Sequence, residues 1–263
     1  MLAGGAAAGV FGSLLGLGGG ILIVPLLTLG FGLPLREAVG VSLVSVIVTS
    51  GASAGVFLQR RVANLRLGMT LELFTAAGAL IGGLVAFLLS EQLLAALFAL
   101  LLVYVAITMI RPRDEPADEV TDAAPPASAI ERSLSGPGYR VTNLGRGAAG
   151  SVGAGVISAL LGVGGGLVKV PVMHLLMGVP LRVATATSNL MIGVTASASA
   201  VIYLLRGEID PYVAGPTAIG VFLGATAGSR TAHRIDVRFL RVLFVVVLLY
   251  TAFQMIRRAM DIG

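Results

Sequence analysis

Eight apolar stretches, each long enough to cross a bilayer, constrain this chain more than any other feature in it. They cover about 2–33, 38–58, 68–89 and 92–110, then about 144–179, 183–205, 211–229 and 237–256. A helix needs roughly 20 apolar residues to span the hydrocarbon core. Only 12% of the 263 residues are charged and the mean hydropathy is +0.96, whereas soluble domains carry about 25% charge. One soluble core has no use for so much apolar sequence. The expected class is an all-α integral membrane protein.

The two series are copies of one another. A shift of 146 residues lays LLGLGGGILIVPLLTLGFGLPLR (14–36) on LLGVGGGLVKVPVMHLLMGVPLR (160–182), with 13 of 23 positions identical. The register continues without a gap: Gly78 and Gly82 fall on Gly224 and Gly228, Tyr104 on Tyr250, Arg111 on Arg257. Three domains are expected: an N-terminal transmembrane repeat at 1–110, a soluble linker at 111–143 and a C-terminal transmembrane repeat at 144–263. The linker begins RPRDEPADEVTDAAPP, too polar and proline-rich to bury a core, and reads as solvated.

Charge in the loops indicates how the copies are oriented, because basic loops stay cytoplasmic. QRRVANLRL (59–67) holds three arginines, and its counterpart LRGEIDPYV (205–213) holds one with two acids. The next pair reverses: SEQLL (90–94) has no basic residue, while RTAHRIDVRFLR (230–241) has four arginines. Equivalent loops with exchanged charge belong on opposite faces, so the repeats are expected to be inverted. Inversion needs an odd number of crossings per half. The first segment of each half is overlong and broken by glycines at its middle, so it can enter, turn and leave on one face. Each half then has one V-shaped re-entrant pair plus three transmembrane helices. Arginines divide thirteen to four between the faces in that arrangement, and eleven to six if all eight segments cross (4+4). The better polarised arrangement is the expected one.

Absent residue types narrow the chemistry. There is no cysteine, and the two histidines, His174 and His233, lie far apart, so neither a disulfide nor a metal site is expected. The net charge of +5 comes from arginines placed between apolar segments, as topology determinants rather than a nucleic-acid surface. No charged stretch precedes the first segment, so no cleaved signal peptide is expected. LGVGGGLVKVP lacks the Gly-Lys-Ser/Thr of a phosphate loop, and Ile21 and Leu167 stand where a dinucleotide fingerprint needs glycine.

Irregular backbone survives at membrane depth only inside protein or beside a water-filled cavity. Gly18, Gly19 and Gly20, and Gly164, Gly165 and Gly166, are expected to place such backbone centrally and to aim helix N-termini at an anion. The plainer alternative is that these glycines only let helices pack closely. Lys169 follows the second glycine run, where the first copy has Ile23. A cation at a helix start opposes the dipole unless an anion lies between, so Lys169 is a candidate substrate contact. Hydroxyls of the second segments, Ser42 and its counterpart Ser188 among them, and the amide of Asn189 are further candidate donors. Their alternative role is bonding helix to helix. Glu72, which falls on Ala218, is a candidate coupling-proton site or an interfacial carboxylate, and His174 has a similar claim. Gly78/Gly82 and Gly220/Gly224/Gly228 have the spacing of packing faces.

The duplicated LLGLGGGILIVPLL and LLGVGGGLVKVPVM resemble the signature of TauE/SafE sulfite exporter-type membrane permeases, over nearly the whole chain. The resemblance implies a cofactor-free secondary transporter that exports small sulfur-containing anions, such as sulfite or sulfoacetate, across a bacterial inner membrane. Alternating access by one half rocking against the other is the expected mechanism. Another small anion or a neutral solute is the alternative cargo. A membrane-embedded enzyme would need a nucleophile–base pair or metal cluster that the sequence does not display. A receptor would leave the glycine breaks and the lysine without a purpose. The expected partners are the bilayer and a small anion, with a homo-oligomer left open.

Overall fold

The computed structural model describes residues 1–15, 20–59, 63–110, 128–136, 138–231 and 237–260. Within them the chain is helical: α1 (Leu2–Leu15), α2 (Gly20–Pro25), α3 (Leu35–Gln59), α4 (Leu65–Ala86), α5 (Glu91–Ile110), α6 (Ala129–Leu134), α7 (Leu144–Leu161), α8 (Gly166–Pro171), α9 (Leu181–Leu205), α10 (Pro211–Thr231) and α11 (Val237–Ala259). Five of these have spans long and apolar enough to cross a membrane, in α4, α5, α7, α9 and α11. Shorter apolar helices accompany them at Leu2–Phe11, Gly20–Gly30 and Gly166–Leu176. This is an all-α, multi-span membrane fold. Its outward side chains suit lipid: Met69, Leu73, Leu88 and Leu205 stand largely exposed.

Proline shapes the two short helices identically. Pro25 ends α2 and Pro171 ends α8, and each is followed by five π-helical residues, Leu26–Gly30 and Val172–Leu176. Proline cannot donate the helical hydrogen bond and its ring crowds the preceding turn. A widened turn accommodates both faults.

Glycine contacts reveal which helices run side by side. A side chain on Gly78 would strike Val152 and one on Gly82 would strike Val156, so α4 and α7 run in the same direction. Gly220 faces Leu2 and Ala6, and Gly224 faces Ala6, so α1 and α10 also run in the same direction. Under the 146-residue shift these are one contact seen twice, because Gly78 falls on Gly224 and Val152 on Ala6. Gly68 faces Thr187 and Met191 while Gly83 faces Ile202, making α4 and α9 parallel too. Helices α3 and α9 pack together, as do α5 and α11. After α7 the chain doubles back: Gly150 meets Val172 and Gly147 meets Met177, so α8 and its π-helical extension descend alongside α7.

Aromatic and charged residues mark the ends of the bundle. At one end the guanidinium of Arg36 lies 5.7 Å from the Phe87 ring and that of Arg206 lies 5.2 Å from it. Arg36 Nη2 also donates to the Leu89 carbonyl. The start of α3 therefore meets the ends of α4 and α9 here. At the other end Asn64, which caps α4, donates its main-chain N–H to Thr187 Oγ1 at 2.9 Å.

That second end also carries a difference from the solvated linker expected for 111–143. Residues 111–127 lie outside the described residues, but the following stretch is docked. Ser128 and Glu131 form a reciprocal capping box on α6. The other oxygen of Glu131 accepts from Leu144 N, at the start of α7. Asn64 Nδ2 donates to the Leu134 carbonyl and to the Tyr139 hydroxyl, each at 2.7 Å. Leu134 and Val141 are buried in a cluster with Leu67, Met173 and Val179. Burial pushes the Tyr139 phenol up, partly offset by the Asn64 bond. Leu134 and Val141, with the bonds of Glu131, Tyr139 and Asn64, dock a segment whose composition reads as solvent-exposed.

Candidate functional site

The glycine turn between α7 and α8 needs its glycines for conformation. Gly162, Gly164 and Gly165 have φ of 68°, 82° and 70°, the left-handed region that side chains rarely adopt. Gly162 closes α7, its N–H donating to the Ser158 carbonyl at 2.8 Å. The turn is also tightly enclosed. A side chain on Gly164 would strike Val46 and Ile192, which are equivalent positions on α3 and α9, and one on Gly166 would strike Ile192. The first glycine run is described only at Gly20, which lies against the Gly162 carbonyl. Gly18 and Gly19 lie outside the described residues. Where the described residues show it, the turns of the two copies touch.

Ser42 joins them. Its hydroxyl stands 2.8 Å from the Gly162 carbonyl and 3.2 Å from the Gly20 carbonyl, so its proton is engaged with main chain from both copies. The counterpart Ser188 behaves differently. It is buried, its Oγ has no hydrogen-bond partner, and it stands 3.5 Å from where a Gly166 side chain would begin. Ser158 Oγ is likewise buried without a partner, 3.7 Å from the corresponding point on Gly165. Buried hydroxyls are nearly always hydrogen-bonded. Two buried hydroxyls without a protein partner thus flank one glycine turn.

Lys169 sits one helical turn beyond, and it is not aimed at open space. Its Nζ donates to Glu72 Oε2 at 2.5 Å, and both groups are buried. Thr195 Oγ1 donates to the second oxygen, Glu72 Oε1, at 2.6 Å. Helix α4 carries Glu72 inward, against α8 and α9. The three residues come from three helices, α4, α8 and α9. Their counterparts, Ala218, Ile23 and Thr49, include no charge. Thr49 Oγ1 donates within its own helix, to the carbonyls of Ser45 and Val46.

The remaining candidates are placed as follows. Asn189 is half-buried on α9, and its main-chain carbonyl accepts from Ser50 Oγ at 3.0 Å. Ser50 Oγ also accepts from Gly193 N at 2.9 Å, so a hydroxyl from α3 stands inside the hydrogen-bond ladder of α9. His174 engages the Val179 carbonyl at 2.9 Å through Nδ1, in the turn after its own helix. Among the described residues no cluster of three or more metal-ligating side chains occurs. Sequence reasoning missed Ser158, Ser50 and the joining of Lys169 to Glu72. Only the one-sided charges, Lys169 against Ile23 and Glu72 against Ala218, could have hinted at that pair.

Comparison with known proteins points to membrane transport. The family described as Sulfite exporter TauE/SafE matches residues 1–255. The probable membrane transporter protein YunE of Bacillus subtilis is 25% identical over 257 residues, covering 95% of this chain and 93% of that protein. The probable membrane transporter protein MJ0441 of Methanocaldococcus jannaschii is 26% identical over 257 residues, covering 91% and 88%. The Sulfite exporter TauE/SafE family protein 6 of Arabidopsis thaliana is 32% identical over 98 residues, covering 37% of this chain and 23% of that protein. No solved structure gives a match.

Proposed function

Because this chain belongs to the sulfite exporter TauE/SafE family and is a membrane transporter rather than an enzyme, we propose that it exports small sulfur-containing oxyanions, sulfite or an organosulfonate such as sulfoacetate, across a bacterial inner membrane. The observation that carries the site is the pair of partnerless buried hydroxyls, Ser158 and Ser188, beside the Gly164–Gly166 turn. A sulfur oxyanion presents several acceptor oxygens around one centre. Two hydroxyl donors beside the glycine turn match that demand, and charge-assisted bonds of this kind are about twice as strong as neutral ones. Asn189 borders the same stretch of α9 and supplies further donors in this proposal.

We also propose that the scaffold is two inverted repeats, each with one re-entrant pair and three crossings. Helix α3 begins at the end of the bundle where its counterpart α9 finishes, beside Phe87, which supports inversion. The return of α8 along α7 supports re-entrance. The moving bodies then differ from the two halves of the sequence. α1 and α3 pack on α10, while α7 and α9 pack on α4, so each body mixes both repeats. Alternating access is a displacement of one mixed body against the other across the α3–α9 contact, with the glycine turns between them.

Flux into proteoliposomes tests the substrate. Sulfite and sulfoacetate are expected to move faster than sulfate, lactate and taurine. Ser158→Ala and Ser188→Ala are expected to raise KM for the preferred anion about tenfold, the loss of roughly one hydrogen bond to a charged group. Neither change should lower stability, because neither hydroxyl has a protein partner to lose. Equal movement of lactate and sulfite, or an unchanged KM in both variants, would refute the assignment.

A further inference from the structure

The buried Lys169–Glu72 ion pair stands one helical turn beyond the hydroxyl site. We infer that Glu72 is the coupling-proton site and Lys169 its exchangeable counter-ion, making this transporter an electroneutral symporter of one proton with one singly charged oxyanion. The inference rests on the transport function proposed above and deepens it.

The geometry supplies a closed exchange. With the site empty, the Lys169 ammonium is compensated by the Glu72 carboxylate, whose other oxygen is held by Thr195. When a proton arrives it adds to Glu72 Oε2, and the carboxylate becomes a neutral carboxylic acid. Lys169, still an ammonium, then lacks a counter-charge at membrane depth, and an anion in the adjoining glycine turn supplies one. On release the anion leaves, the carboxyl returns its proton to water, and the ion pair reforms. Net charge is zero when the site is empty and zero when it holds one proton and one monoanion. Proton alone leaves +1, and anion alone leaves −1. Uncompensated charge within a membrane is expensive, so only the two neutral states reorient readily. A dianion, as sulfoacetate is near neutral pH, leaves one negative charge over unless a second proton accompanies it, so the carried form is the singly charged hydrogen anion.

The other titratable groups on the described residues of the packed helices lie away from the pair: on α3, Arg36 stands against Phe87 and Glu37 near Glu208 and Asp210, at the far end. Arg66 on α4, Arg146 on α7 and Arg182 on α9 are exposed at helix starts. The Tyr203 hydroxyl at the far end of α9 is bonded to the Ala159 carbonyl, and the His174 ring to the Val179 carbonyl.

The test uses the full chain in proteoliposomes with a trapped pH dye and potassium–valinomycin to set the voltage. Methanesulfonate, singly charged throughout the working range, is the probe. About one proton is expected to accompany each methanesulfonate, at a rate unchanged by an imposed potential. Glu72→Gln is expected to cut net flux at least tenfold while keeping methanesulfonate-for-methanesulfonate exchange, because its empty carrier holds an unpaired lysine and only its loaded carrier is neutral. Parent stoichiometry and voltage response decide the matter even if that variant does not fold. Flux without protons, flux driven by voltage, or proton-coupled net flux in Glu72→Gln would each overturn the coupling. Movement of sulfoacetate without methanesulfonate would overturn the monoanion scheme and leave the transport function standing. Movement of no sulfur anion would overturn both.

Discussion

Gly155 and Gly153 stand two residues apart on α7, and replacing each with alanine should shift stability in opposite directions. A Cβ on Gly155 would lie 2.7 Å from Ala79 N and closer still to the Thr75 carbonyl oxygen, whereas ordinary contact begins at 3.4 Å. Both obstacles are main chain, so no side chain can swing away. Clearing Ala79 N alone requires the helices to part by about 0.7 Å, and clearing the Thr75 oxygen requires more, which also loosens Gly78 from Val152 and Gly82 from Val156. Overpacking of this kind costs about 1–3 kcal/mol. Gly153 is exposed and has nothing within 4 Å of its would-be Cβ. There alanine should gain about 0.5–1 kcal/mol from the better helix former. The expected gap between the variants is therefore about 1.5–4 kcal/mol, from those two ranges. Unfolding in bicelles by titration with dodecyl sulfate, followed by far-ultraviolet circular dichroism, reads it directly. Gly9, the counterpart of Gly155, faces Val221 and Ala225 in the same manner, and Gly9→Ala should fall on the destabilised side. Equal midpoints for Gly153→Ala and Gly155→Ala would refute the close α4–α7 contact.

Other expectations follow from the same contacts. Removing one member of the buried pair, by Lys169→Met or Glu72→Leu, should cost about 3–5 kcal/mol, while the double replacement should be near neutral. Additive losses in that cycle would show that the two side chains do not meet. Asn64→Ala removes the cap of α4 and both bonds to the docked linker, so trypsin should cut within 128–143 several times faster than in the parent. An unchanged cleavage rate would count against docking. Cysteines at Ser133 and Glu208 should react with impermeant maleimide from opposite sides of the membrane, and reaction from one side alone would exclude inverted repeats.

What the sequence reveals about this molecule depends on how local the information is. The duplication, the helix-breaking glycines and the membrane class are properties of contiguous stretches, and the family comparison agrees with the class. Lys169 stood out because Ile23 occupies the matching position, a contrast visible in one dimension. Its partner was not visible, because Glu72 lies 97 residues away and meets it only when α4 packs beside α8. Ser158 carries no signal at all: it is one serine among many, distinguished only by having no partner once folded. The docked half of the linker was hidden by composition, since averaged polarity outweighs two buried residues, Leu134 and Val141, in any reading by eye.

The way the copies interlock also sets the order in which the protein can be completed. Gly9 rests against Val221, 212 positions later in the chain (221 less 9). α1 is synthesised long before α10 and must wait, with its glycine face uncovered, until α10 follows. The first repeat is thus no independent folding unit, although its sequence is a complete copy of the motif. Synthesis proceeds N-terminus first and exposed apolar surface invites misassembly meanwhile. For this chain the hazardous interval is built into the topology: it closes only when α10 threads in beside a helix inserted long before it.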